Sequence, residues 1–411
     1  RCTSTSAFDQ CSVVLGIVMA SSVDPSDRPS VRDVETTERR DVGRWVGSGA
    51  VDPLAWLRRA ALLLVGVPIA ATVLVVAAGL VPDRLILDSL VGGVERREIV
   101  NVPQVGISGR GLDVFSDCIA LTMGLGDTDG GALTIGIRSP TLGSCDGAIA
   151  SLQAYEQGSG LSGGYEYFRY WHGYTVVSRP AVALFGVAGA RTLLLWAVVA
   201  ALGVFAHRLW RFHGWVAPAA LLGPFLLTTD SIELTRSLPH GVPLLVGVLG
   251  ALAVHVAASG SATSSSTPSG SATSAAADQA GPDELRLATV AFLAGSAFVF
   301  ADLLTNSPGA WALATAMAGL ASIDRFTGGR LAWRSALTAG AWIVGWVWTW
   351  VAKWAVAAAV VGVDRVRDSV GDAVEDRVAG ERDYIDLAPL NAIEANLRAW
   401  WEHPLTPAVV I

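Results

Sequence analysis

The sequence predicts an all-α integral membrane protein that crosses the bilayer about seven times. Of its 411 residues, 52% are hydrophobic and 16% are charged, whereas soluble domains carry about 25% charged residues. The apolar residues are concentrated in seven runs, and arginines recur in alternate connections between them. This composition excludes a simple soluble enzyme and a wholly disordered chain. The net charge of −7 argues against a nucleic-acid partner, which would require a basic face.

Seven apolar runs are predicted to span the membrane, because a bilayer core requires about 20 apolar residues per helix. In order they are 60–81, 192–205 (extending back to 190), 215–228, 242–258, 287–304, 310–321 and 336–361. The third and sixth are short, and two prolines are predicted to kink the third. Residues 179–191, an apolar run bounded by arginines, predict a helix lying in the interface before the second span.

The connecting segments predict the orientation, because basic residues collect on the cytoplasmic side of a membrane. Residues 1–59 are predicted to be a basic, largely disordered cytoplasmic arm. Two later connections fall on the same side under strict alternation, and their basic residues are Arg208, Arg211, Arg325, Arg330 and Arg334. The predicted localisation is the cell membrane, with a multi-pass chain, membrane lipids as partners and a cytoplasmic N-terminus.

The segments outside the spans complete the predicted organisation. The Ser-, Ala-, Thr- and Gly-rich segment 259–284 predicts a flexible linker, which divides the membrane region into 60–258 and 285–361. A small extracytoplasmic lobe, 82–179, follows the first span, and an outer C-terminal segment, 362–411, follows the last. In the lobe, an oxidising compartment favours a disulfide between Cys118 and Cys145; two free buried thiols are the alternative.

Carboxylates on the predicted outer face are the candidate catalytic and metal-binding groups. Asp113 and Asp117 are spaced i, i+4, which places them on one face of a helix, where a proton, a cation or a basic partner must offset their repulsion. Asp230 and Glu233 would hold a divalent cation or orient an acceptor. Asp302 lies at the outer end of the fifth span, where an ionisable group favours a functional role; a helix-end role is the alternative.

The aromatic stretch LSGGYEYFRYWHGY (161–174) has two interpretations. Amphipathic aromatic side chains are typical of the boundary between membrane and water. The same chemistry suits a sugar phosphate: Tyr170, Trp171 and Tyr174 would stack on sugar rings, while Arg169 and His172 would hold the phosphate.

Lys353 is the only lysine in the chain, and it lies among five tryptophans between Trp342 and Trp354. It would snorkel to the membrane surface, pair with Asp302, or bind a lipid-linked phosphate between helices. A buried partner is favoured, because arginine would serve equally well at a snorkelling position.

Four stretches resemble a group of polytopic bacterial membrane proteins that carry an RYWHGY block. They are SDCIALTMGL (116–125), YFRYWHGY (167–174), FADLLTNSP (300–308) and WVWTWVAKW (346–354). The resemblance covers most of 60–361 and implies a multi-span membrane protein without assigning a reaction. In this sequence Ala301 interrupts the Phe-Asp pair of that group, and Asn306-Ser307 precede Pro308.

More loosely, the layout is similar to that of the GT-C membrane glycosyltransferases, which take sugars from polyprenyl-phosphate carriers. That resemblance implies that Asp117, or Asp113, acts as general base or metal ligand. Arg169, His172 and Lys353 would then neutralise the donor phosphate. The alternatives are a lipid-carrier transporter or flippase, with Asp302 and Lys353 as a gating pair, and a structural component of an envelope complex.

Overall fold

The structure is a computed structural model that describes residues 53–101, 113–126, 130–161, 163–228, 234–260, 272–302, 307–326 and 328–374. Twelve helices and one two-stranded antiparallel sheet lie within these ranges, in agreement with the predicted all-α class. The helices are α1 (Pro53–Ala78), α2 (Asp83–Glu95), α3 (Val114–Leu121), α4 (Ala132–Arg138), α5 (Cys145–Glu156), α6 (Thr175–His213), α7 (Val216–Thr228), α8 (Leu238–Ser259), α9 (Ala272–Ala301), α10 (Ser307–Ile323), α11 (Gly328–Val361) and α12 (Val363–Val374). The sheet pairs β1 (Pro140–Thr141) with β2 (Tyr165–Glu166) in antiparallel register.

Five helices in the described part of the chain are long and apolar enough to cross a bilayer. They are α1 from Leu57, α6, α8, α9 from Asp283, and α11. The other two predicted spans are also helical, but α7 has 13 residues and α10 has 17. At a rise of about 1.5 Å per residue, these two helices are about 20 and 26 Å long. The molecule is therefore a helical membrane protein with at least five helices of spanning length.

Helix α8 lies at the centre of the packing and contacts α6, α9 and α10, while α9 and α10 both pack on α11. One apolar cluster draws buried side chains from all five of these helices, including Phe205, Val254, Phe298, Met317 and Trp342. The predicted division into a four-span and a three-span part is therefore not a division of the core.

Glycines allow α9 and α11 to approach at backbone distance. A Cβ atom on Gly295 would collide with the backbone carbonyl of Trp342, and one on Gly345 would collide with that of Phe292. Ser296 Oγ donates to the carbonyl of Gly345 at 3.1 Å. Small residues at a helix interface permit this kind of contact where no hydrophobic effect drives helices together.

The helix ends sort into two groups. At what we call the arginine end, α6, α8 and α10 finish and α11 begins: Arg208 Nε donates to His255 Nδ1 at 2.9 Å, and Arg334 donates to the carbonyl of Ala258 at 3.4 Å. At the opposite end, which we call the cleft end, α9 finishes while α8 and α10 begin. The helices thus alternate in direction along the chain.

The predicted linker and arm need correction at their edges. Helix α9 begins at Ala272, so the second half of 259–284 is helical, because an Ala-rich run has high helix propensity. Helix α1 likewise begins at Pro53 inside the predicted arm, and proline is favoured in the first turn of a helix. Residues 1–52, 261–271 and 375–411 lie outside the described residues.

The region between α1 and α6 is built from α2 to α5 and the two-stranded sheet, and Arg179 joins it to α1. The Arg179 guanidinium donates to the carbonyls of Ala78 at 3.0 Å and Met123 at 2.7 Å, and to the Asp83 carboxylate at 2.5 Å. Arg179 is 5% exposed, and these neutral and charged acceptors offset the cost of burying its charge.

Candidate functional site

A small cleft, partly open to solvent, lies at the cleft end of the bundle. It brings together side chains from α3, α6 and the segments that precede α3 and α8. Its lining residues are Glu98, Ile99, Val100, Asp113, Val114, Asp117, Cys118, Arg191 and Arg236. Both predicted catalytic aspartates are therefore in one cavity, together with two arginines.

Asp117 is held from two sides. Its carboxylate forms an ion pair with Arg191 of α6 and accepts a hydrogen bond from the backbone N–H of Leu238, at the start of α8, at 3.2 Å. Arg191 also donates to the carbonyl of Glu98 at 2.8 Å. A proton, a cation or a basic partner was predicted to offset the repulsion between the two aspartates. The structure shows a basic partner, Arg191, beside Asp117.

Asp113 is the more accessible of the two aspartates, with a side chain 47% exposed against 10% for Asp117. It caps the N-terminus of α3, accepting from the Ser116 backbone N–H at 3.0 Å. Its other oxygen lies 3.3 Å from His240 Nε2. The hydrogen bonds from His240 and Ser116 hold the pKa of Asp113 well below its usual range, so the group is ionised at neutral pH.

A break in α6 borders the cleft. Gly186 has φ +70° and interrupts the helix, a conformation that glycine adopts without steric cost. The new helix start frees the N–H of Ala188, which donates to the Glu98 carboxylate at 3.3 Å. A hydrogen bond from Arg96 lowers the pKa of Glu98. The start of a half-helix carries partial positive charge, which stabilises the Glu98 carboxylate that already contacts it.

The predicted disulfide between Cys118 and Cys145 is present, with the two Cα atoms 5.1 Å apart. It joins α3 to α5 directly after Asp117. Asn101 adds a hydrogen bond to Asp146 at 2.5 Å. These links fix the helix that carries both aspartates.

The second half of the aromatic stretch, residues 170–174, lies in the protein interior, where the structure gives it packing roles, whereas Tyr165 is exposed. The Trp171 indole N–H donates to the carbonyl of Thr349 in α11 at 2.7 Å. A Cβ on Gly173 would collide with Phe300, and the Gly173 N–H donates to the Phe300 carbonyl at 2.8 Å. Tyr174 is 0% exposed. Protein atoms surround the rings of Tyr170, Trp171 and Tyr174. Sugar stacking by these three residues stays a prediction.

His172 is fully enclosed and neutral. Its Nε2 lies 2.5 Å from the carbonyl of Tyr167, so Nε2 carries the hydrogen, and Nδ1 accepts from the Tyr174 hydroxyl at 3.2 Å. Burial, reinforced by the charge of Lys353, lowers the pKa of His172 to about 3. Burial also raises the pKa of Tyr174, and the nearby Asp117 charge adds to this effect. A neutral His172 would not supply the cationic phosphate contact predicted for it.

Lys353 has a buried partner, but that partner is a backbone carbonyl. Its Nζ donates to Ile137 O at 3.0 Å and lies 5.4 Å from the centre of the Trp171 ring. Among the described residues no ion pair joins it to Asp302. Asp302 follows the last residue of α9, its N–H donates to the Phe298 carbonyl, and its carboxylate accepts from Ser307 at 3.4 Å. This geometry matches the helix-end alternative.

Arg169 is not among the residues that line the cleft. Arg169 contacts α12, donating to Ser369 at 2.9 Å and lying 3.9 Å from Asp372. The predicted metal ligands Asp230 and Glu233 lie outside the described residues. Within the ranges that the structure describes, no group of three or more His, Cys, Asp or Glu side chains is placed to hold a metal ion.

Three residues of the site had no assigned role in the sequence analysis. Arg191 marked the edge of an interfacial helix there, although an arginine inside an apolar run indicates a buried partner. Glu98 and His240 lie far from the aspartates in sequence, and only the packing of α2 and α8 against α6 and α3 brings them to the cleft.

Comparison with known proteins gives no match: no protein-family model, no curated protein and no solved structure is significantly similar to this chain. The fold and the cleft therefore define the class, a helical membrane protein with a polar cavity at one end.

Proposed function

We propose that this protein is a membrane-embedded glycosyltransferase of GT-C-like layout, which uses a polyprenyl-phosphate-linked sugar. The observation that carries the proposal is the cleft itself, where the accessible Asp113 faces the same cavity as Arg191 and Arg236. A carboxylate that accepts a proton and guanidinium groups that bind a phosphate are the two components this transfer requires.

The proposal includes seven membrane passes, with the cleft end outside the cell and the N-terminus in the cytoplasm. Helices α6 and α8 both finish at the arginine end, and α9 and α11 both run away from it, so each pair needs a returning helix between its members. Helices α7 and α10 occupy those two positions, which supports counting both short helices as spans. The arginine end collects the basic residues that the positive-inside rule places in the cytoplasm. The lobe of 82–179 then lies on the outer face, where the disulfide is stable.

In the proposed reaction, the acceptor hydroxyl oxygen bonds to the anomeric carbon of the sugar while the bond from that carbon to the phosphate oxygen breaks. The hydroxyl proton passes to the Asp113 carboxylate, and the electron pair leaves with the polyprenyl phosphate. Arg191 and Arg236 neutralise the charge on the departing phosphate. His240 holds Asp113 in place, and Asp117 orients Arg191. Asp230 and Glu233 remain the proposed ligands of a divalent cation.

Asp113→Asn is the sharpest test, because asparagine caps a helix as well as aspartate does. The purified protein would be supplied with polyprenyl-phosphate-linked sugars, and release of polyprenyl phosphate would be measured. We expect turnover to fall about 100-fold or more with an unchanged melting temperature. Asp88→Asn, an exposed carboxylate of α2, is the matched control. Full activity of Asp113→Asn, or wild-type protein inert towards every carrier-linked sugar, would overturn the proposal.

The transporter alternative depended on a gating pair between Asp302 and Lys353. Because Lys353 donates to Ile137 and Asp302 contacts Ser307, the described contacts do not favour it.

A further inference from the structure

The arginine end contains a second charged site, unrelated to the cleft. Six arginines lie there against three carboxylates: Arg208, Arg211, Arg286, Arg325, Arg330 and Arg334 against Asp283, Glu284 and Asp324. They come from α6, α9, α11 and the segment after α10. This end of the molecule therefore has an excess of positive charge.

Three of these arginines are held in place by neutral acceptors. Arg208 Nε donates to His255 Nδ1 at 2.9 Å, Arg325 donates to the carbonyl of Ser259 at 2.8 Å, and Arg334 Nε donates to Ser322 Oγ at 3.1 Å. No carboxylate in the described part of the chain forms an ion pair with any of the three. A guanidinium has five N–H donors, and these contacts occupy only some of them.

Aromatic rings orient the same guanidinium groups. Arg330 and Arg334 lie over the Phe326 ring at 4.4 and 4.9 Å, and Arg208 lies over Phe212 at 4.9 Å. Stacking and single hydrogen bonds fix the groups before any ligand arrives, which reduces the entropy cost of binding an anion. Glu284 of α9 accepts from the Trp333 indole N–H at 3.4 Å.

Exposed tryptophans place this cluster at the level of lipid headgroups. Trp210, Trp215 and Trp333 are 57%, 72% and 54% exposed and lie beside the arginines in sequence. Exposed tryptophan near the ends of apolar helices is typical of the membrane–water interface. Basic groups between helices at that depth are suited to anionic lipid headgroups.

We propose that the arginine end binds the phosphate headgroup of an anionic membrane phospholipid through Arg208 and Arg325, while the buried Arg334 adds positive charge behind them. Capping of the Ser259 carbonyl by Arg325 is compatible with this role, because it leaves further donors on that guanidinium. The site is independent of the proposed transferase activity.

The test uses the full-length protein in neutral detergent, titrated with phosphatidylglycerol or phosphatidylcholine and followed by native mass spectrometry. We expect at least tenfold preference for phosphatidylglycerol. Arg208→Gln with Arg325→Gln should weaken phosphatidylglycerol binding about 25-fold, or about fivefold per arginine, and leave phosphatidylcholine unaffected. The control Arg84→Gln with Arg97→Gln removes two exposed arginines at the cleft end and should change nothing.

Two further measurements on the wild-type protein keep the test decisive if the double variant folds poorly. Raising the salt concentration should weaken phosphatidylglycerol binding and not phosphatidylcholine binding, since exposed charges are screened. Inorganic phosphate should compete only weakly. Equal affinity for the two lipids, or inorganic phosphate binding as tightly as phosphatidylglycerol, would overturn the lipid assignment.

Discussion

Asp117 and Arg191 form an ion pair that joins α3 to α6 across 74 residues of sequence. Leu238 at the start of α8 donates to the same carboxylate, so a single side chain connects three helices beside the cleft. Because both partners are largely shielded from water, the loss of one leaves the other with an uncompensated charge.

Arg191→Gln should therefore destabilise the protein by about 2 kcal/mol, less than the cost for a fully buried pair because Arg191 is partly exposed. Thermal unfolding in detergent would measure it. The double variant Asp117→Asn with Arg191→Gln should lose less than the sum of the single variants, with a coupling energy of about 1 kcal/mol. Strictly additive losses would show that the pair contributes nothing.

Gly345→Ala should destabilise the interface between α9 and α11 by about 1–3 kcal/mol, because the new methyl group would collide with the Phe292 carbonyl. Gly340 provides a matched control on the same helix, since a Cβ there meets no atom within 4 Å. Gly340→Ala should leave the melting temperature unchanged or raise it, as alanine is the better helix former. Equal effects at both positions would contradict the close approach.

Lys353→Met should be tolerated within about 1.5 kcal/mol, because it conserves volume and removes a buried charge whose partners among the described residues are a carbonyl and an indole ring. Lys353→Glu should be far more damaging, by about 3 kcal/mol or more, since its charge would face the Ile137 carbonyl. Thermal unfolding of both variants checks this. Similar losses for Met and Glu would mean that the ammonium group itself is required.

Acidification should destabilise the protein through His172. Its folded pKa of about 3 lies below the ordinary value of 6.5, so between these values the unfolded chain binds the proton and the folded chain does not. Stability from this group is complete above pH 6.5 and decreases by about 1.4 kcal/mol per pH unit as the pH falls towards 3. His172→Asn, which tolerates the positive φ of 56°, should flatten the pH dependence of the melting temperature.

Hydropathy predicted the helices whose whole length is apolar. It misplaced helix ends where polar residues are satisfied inside the protein or where alanine propensity extends the helix. The runs 242–258 and 336–361 correspond closely to α8 and α11. In α6, however, helical structure extends from Thr175 to His213 with a break at Gly186. It includes Arg179 and Arg191, at which the predicted interfacial helix was bounded, because protein acceptors satisfy both guanidinium groups. In α9, alanine propensity extends the helix into a segment whose composition favoured a linker.

The candidate site was predictable in part for a similar reason. The i, i+4 spacing of Asp113 and Asp117 placed both on one short helix, and both do line one cleft. Their partners Arg191 and His240 depend on how α6 and α8 pack against α3, which local pattern does not encode. From its amphipathic chemistry, the aromatic stretch was assigned to the membrane–water boundary or to a sugar-phosphate ligand. In the structure, Trp171 and Gly173 donate to carbonyls of α11 and α9.

Those two contacts have a consequence for biosynthesis. The donors belong to a segment translated more than a hundred residues before its acceptors Phe300 and Thr349. In a nascent chain that has inserted only its first helices, these two donors therefore lack their native acceptors, which arrive with α9 and α11. The packing of this segment can therefore be completed only after α9 and α11 have been synthesised.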